Sequence, residues 1–67
     1  MEHPPVVVHP VEDGARRVTV QGEVVGRAYG LADVEEFLRR AGLDPDDVAL
    51  DDPQLIEWQG GGPDVWS

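Results

Sequence analysis

Residues 16–29 read RRVTVQGEVVGRAY, and this stretch decides which fold the chain can take. From Arg16 to Val20 the side chains alternate, with Val18 and Val20 on one face and Arg17 and Thr19 on the other. That period of two is the mark of a strand with one buried side. Gln21-Gly22 interrupts it as a two-residue hairpin turn, and Glu23 to Tyr29 returns as a second strand. The faces of the return strand, Val24/Gly26/Ala28 and Val25/Arg27/Tyr29, leave its buried side open.

Working outward toward the N-terminus, Val6 to Val11 reads as another strand. Pro10 withholds one N–H from it, which points to an edge position or an early end. Glu12-Asp13-Gly14-Ala15 is the turn between them, with glycine supplying positive φ. Residues 1–5 are expected to be a flexible N-terminus, since His3-Pro4-Pro5 offers no proline N–H to a sheet.

Toward the C-terminus a helix follows. Leu31, Val34, Phe37, Leu38 and Ala41 fall on one stripe, with Glu35, Glu36, Arg39 and Arg40 outside it. Asp33 reads as the N-cap, Glu36 as its capping-box partner, and Ala32 with Phe37 as a hydrophobic staple. Glu35 and Glu36 stand four residues before Arg39 and Arg40, and Gly42 stops the helix. Leu43 to Val48 resembles a single helical turn, with Asp44 capping and Pro45 at the first position. Asp51-Asp52-Pro53 then breaks the chain before a fourth strand, Gln54 to Gln59, with Ile56 and Trp58 on one face.

The expected fold is α+β: a small three- to four-stranded, mainly antiparallel sheet packed on one helix, in the order β-β-β-α-β. The last strand is able to pair parallel to the strand before the helix through a right-handed connection. Residues 6–59 form a single α+β domain, and residues 60–67 form a glycine-rich C-terminal tail.

Sixty-seven residues without cysteine exclude disulfides and thiolate chemistry, and leave a thin core. Val6-Val7-Val8 is too short to cross a membrane, and the chain reads as a cytoplasmic protein beginning at its own Met1. All basic residues are arginine and asparagine is absent, a usage favoured by GC-rich codons and expected of a bacterial genome. The formal charge of −9 divides into −1 over residues 1–30 and −8 over residues 31–67. A field of that sign repels phosphate backbones, so direct nucleic-acid binding is not expected, whereas a basic protein surface is attracted.

No constellation names an enzyme. Asp44, Asp46, Asp47, Asp51 and Asp52 crowd one segment, yet a calcium loop fails: Val48 and Ala49 stand where an oxygen ligand and the glycine belong, and Leu55 replaces the final glutamate. His3 and His9, with Glu2, Glu12 or Asp13, have no fixed metal-ligand spacing. Ser67 is the only serine, and Thr19 is expected mid-strand without a neighbouring histidine, so a nucleophilic triad is not read. Gly60-Gly61-Gly62 lacks the lysine and hydroxyl of a phosphate loop and reads as a turn or linker. No cofactor or metal is expected.

Trp58 fits a strand pattern, but Trp66 lies beyond the glycines without a periodic partner. Two readings stand. In one the tail folds back and Trp66 closes the thin core; in the other Val65-Trp66 is a presented anchor for a partner. The expected function is a non-catalytic acidic protein that binds another protein or its own copy. Trp66, Val65, Trp58, Tyr29, Asp46, Asp47, Asp51 and Asp52 are the candidate partner-binding residues. The competing reading is an acidic regulator that offers carboxylates, in imitation of nucleic-acid phosphates, to a basic protein.

Overall fold

A computed structural model describes residues 4–47 and 49–66. Its elements are β1 (Val6–Glu12), β2 (Ala15–Val20), β3 (Glu23–Ala28), α1 (Leu31–Arg40) and β4 (Ile56–Trp58). The fold is the expected small α+β arrangement, a four-stranded mixed sheet of order β3-β2-β1-β4 packed against one helix.

Both hairpins close through two-residue turns with positive φ at each central position, Asp13-Gly14 and Gln21-Gly22. Such turns match the twist of the strands they join. The resulting register places Val18 opposite Val8 and Val20 opposite Val6. One face therefore gathers Val6, Val8, Val18, Ala28 and Ile56, and α1 covers it with Val34 and Leu38. Phe37 also lies over this face. A Cβ at Gly26 would stand 2.6 Å from the Phe37 ring, so glycine is what lets the ring reach the sheet. An irregularity in the β2–β3 register, where Val18 pairs Gly26 and Thr19 pairs Val24, inserts Val25 as an extra residue.

Four local expectations change. β4 pairs parallel to β1, not to β3, so the sheet closes on the first strand. β1 is consequently internal, and Pro10 is tolerated because it sits in a bulge past Val8, beyond the residues that β4 reaches. The fourth strand spans only Ile56 to Trp58, because Gln54 and Leu55 belong to a turn begun at Asp52. The helix starts earlier than expected, with Gly30 as N-cap and Asp33 in its first turn. The Asp33 carboxylate, at the third helical position, accepts the Tyr29 N–H at 2.9 Å, one residue before the N-cap, so it ties down the entering chain without forming the capping box. Glu36 is instead engaged with Arg39 and Arg40.

The far end of α1 closes as read from Gly42. Leu43 N–H donates to Leu38 O at 2.8 Å and Gly42 N–H to Arg39 O at 3.1 Å, the paired bonds of a Schellman motif. Val48, the end of the expected short turn, lies outside the described residues, as do Met1, Glu2, His3 and Ser67. Pro5 is tied down, its carbonyl accepting the Gln21 N–H at 2.6 Å.

Replacing Gly26 with alanine is expected to lower stability by about 1–3 kcal/mol through overpacking against Phe37. The double variant G26A/F37L is expected to recover part of that loss, and urea midpoints of the three proteins measure both effects.

Candidate functional site

The most constrained group in the protein is Arg16, a residue whose neighbours in the sequence conceal its position. It precedes Val18 and Val20 by even steps, so strand parity turns it toward the covered face. It is 0 % exposed, the one buried charged residue among those described.

Its guanidinium has five N–H donors, and all five are used. Nε donates to His9 O at 2.8 Å. One terminal nitrogen donates to Gly62 O at 2.7 Å and Val65 O at 2.9 Å. The other donates to Gln59 O at 2.7 Å and Gly61 O at 2.8 Å. Every acceptor is a backbone carbonyl. Burial lowers the Arg16 pKa from the ordinary arginine value, but that value is so far above neutrality that the group stays charged.

The ring of Trp58 lies 5.2 Å from the guanidinium carbon and that of Trp66 lies 5.5 Å from it. Both distances are within cation–π range, where a desolvated pair contributes about 2 kcal/mol. The indoles are themselves anchored, Trp58 Nε1 donating to Leu50 O at 2.8 Å and Trp66 Nε1 to Pro63 O at 2.7 Å. The bulge in β1 leaves His9 O free to accept from Arg16, and Gly60 packs against Pro10 of the same bulge. A Cβ at Gly60 would stand 2.8 Å from Pro10 Cβ, and φ there is +77°.

Residues 59–66 are thus wound around a cation. The glycine run presents carbonyls inward, the reverse of the N–H nest by which such a run holds an anion. Trp66 folds back against the core, and Trp58 lies on the helix-covered face beside it, so Trp58 does not line the uncovered face. Val65 contributes its carbonyl to Arg16.

Tyr29 stands apart from this group, 65 % exposed at the end of β3. Of the aspartates, Asp44 and Asp52 form turns, their carboxylates accepting the N–H groups of Asp46 and Gln54. Asp46, Asp47 and Asp51 are exposed. The uncovered face carries Val7, Thr19, Val24 and Glu57 in one row, with Arg17 and Arg27 paired beside it. Contrary to the linear reading, Thr19 does have a histidine neighbour, because His9 Nε2 lies 3.3 Å from its Oγ1 across the β1–β2 pair. Among the described residues no three His, Asp or Glu side chains cluster as metal ligands, and no helix is long and apolar enough to cross a membrane.

Comparison with known proteins finds no match to a family model, a curated protein or a solved structure.

Truncation after Gly60 removes three of the five acceptors and one indole, leaving a buried charge partly unpaired. It is expected to cost about 3–5 kcal/mol. R16M in the full-length chain leaves the carbonyls unsatisfied and is also expected to destabilise, yet combining it with the truncation should cost much less than the sum. Denaturation midpoints for the four proteins, followed by tryptophan emission, test that non-additivity.

Proposed function

We propose that this protein is a non-catalytic binding module that associates with another protein chain, a second copy of itself in the first instance, through the free edge of β3. The observation that carries this reading is the exposure of two adjacent valines there, Val24 at 62 % and Val25 at 40 %. Val24 pairs Thr19 on the uncovered face, whereas Val25 shares a depression with Val20 and Ala41 on the helix side. Apolar side chains thus flank both sides of an edge strand.

Edge strands present unpaired N–H and C=O groups to solvent, and proteins normally shorten or cover them. At the opposite edge β4 is only three residues long. β3 is six residues long and terminates the sheet order. The Gln21-Gly22 turn closes on Val20 and Glu23 as its hydrogen-bonded pair, so the Val24 N–H and C=O point away from β2. An added strand would gain main-chain bonds at Val24 and apolar contact from both valines, the physics of strand addition. A two-fold pairing of β3 with β3 of a second copy closes on itself and leaves only the short β4 edges open.

The carboxylate-offering alternative has less support. Two of the five aspartates in residues 44–52 are occupied in turns, and the rest follow no regular spacing. Both tryptophans meet the Arg16 guanidinium, which favours the strand edge over the tail as the contact surface.

Sedimentation at about 0.15 M and about 1 M salt is expected to show a dimer in both conditions, because an apolar, main-chain interface is only weakly screened. The variant V24E is expected to sediment as a folded monomer. A wild-type monomer at both salt concentrations removes self-association from the proposal.

A further inference from the structure

The outer face of the sheet holds an arrangement that the fold does not require. Arg17 on β2 and Arg27 on β3 stand directly opposite each other. Like charges in opposed sheet positions weaken the pair of strands that carries them. Among the described residues neither guanidinium has a carboxylate within ion-pair distance, although the chain has 14 acidic residues. The other three arginines are all engaged, Arg16 by carbonyls and Arg39 and Arg40 by Glu36.

Arg17 and Arg27 also line one open cleft of about 350 Å³, together with His9 and, at the turn end, Glu12, Asp13 and the buried Ala15. Arg27 is oriented by the Glu12 carbonyl, to which its Nη2 donates at 2.7 Å. That bond uses one of its five donors and leaves the carboxylate of Glu12 out of the contact.

We propose that Arg17 and Arg27 form a clamp for carboxylate side chains of an acidic peptide segment on a partner protein. Two guanidinium groups on neighbouring strands provide the planar, paired donors that carboxylates accept. An occupant of that charge relieves the repulsion between the arginines. The net charge of −9, and Glu12 and Asp13 at the mouth of the cleft, repel any extended polyanion. The occupant is therefore a short acidic segment whose few carboxylates meet the two guanidinium groups, and a continuous phosphate backbone, charged along its whole length, fits less well. This inference rests on the reading that the protein binds other protein chains, but it involves side chains distinct from Val24 and Val25.

The test uses the full chain, isotopically labelled, titrated with an acetylated and amidated peptide of alternating glutamate and valine. The glutamine version of that peptide, inorganic phosphate and a short oligonucleotide serve as the comparison probes. Saturable amide shifts are expected across residues 9–17 and 24–27 with the glutamate peptide alone. R17Q/R27Q is expected to weaken that binding at least about tenfold, and R39Q/R40Q to leave it nearly unchanged. Equal weakening in R39Q/R40Q, saturable binding of the glutamine peptide, or no saturable shift overturns the clamp. Tighter binding of phosphate or the oligonucleotide than of the peptide also overturns it, in favour of a general anion site. A V24E protein that has lost self-association yet still binds the glutamate peptide keeps the clamp. A wild-type dimer that ignores the peptide removes the clamp alone.

Discussion

Arg16 is a positive charge buried without a negative one. Removing an ion from water costs several kcal/mol even after relaxation, and an interior tolerates it only when hydrogen bonds replace the lost hydration. Here the replacement is made from five peptide carbonyls and two indole faces. Much of the irregular backbone serves that requirement. β1 bulges after Val8 so that the His9 carbonyl leaves the ladder, β4 ends at Trp58 so that the next carbonyl is available, and residues 61–65 curl until three more converge. A lysine has three donors on a single atom and no planar fork, so it matches neither the number nor the spread of these acceptors.

The same constraint explains how so short a chain organises its ends. The segment from Gln59 to Trp66 carries its apolar surface on Pro63, Val65 and Trp66 alone, and a glycine-rich tail loses considerable entropy on ordering. Convergence on one cation offsets that loss through charge-assisted bonds, which are stronger than neutral ones. It also joins residues more than forty apart in sequence, from β2 to the last turn of the chain. With a core of seven clustered buried side chains, the tail and its arginine act as a second, polar core beside the apolar one.

Electrostatically the molecule divides in two. Arg39 and Arg40 are matched to Glu36 on the helix, and the segment 44–52 carries five aspartates. On the uncovered sheet face, among the described residues, Arg17 and Arg27 form no ion pair, and they stand next to the valines of the β3 edge. The surface with the fewest internal partners is therefore compact and lies on β2 and β3, the hairpin read most directly from the sequence.

Local chemistry by itself determined the two hairpin turns, the helix and its Gly42 stop, and the order β-β-β-α-β, because each depends on periodicity or on backbone preferences within a few residues. Arg16 shares strand parity with Val18 and Val20, but faces are expected from sequence only for Arg17 to Val20, and the burial of Arg16 emerged with the tertiary structure. Only tertiary structure decided that β4 lies beside β1, that Pro10 occupies a bulge in an internal strand, and that Thr19 meets His9. Register across strands is a long-range property, set by how whole faces bury together, and no local window contains it. The role of the tail glycines, and of Trp58 and Trp66 on either side of them, was hidden for the same reason. Their meaning comes from a guanidinium some fifty residues away, and a carbonyl acceptor, common to every residue, leaves no trace in side-chain identity.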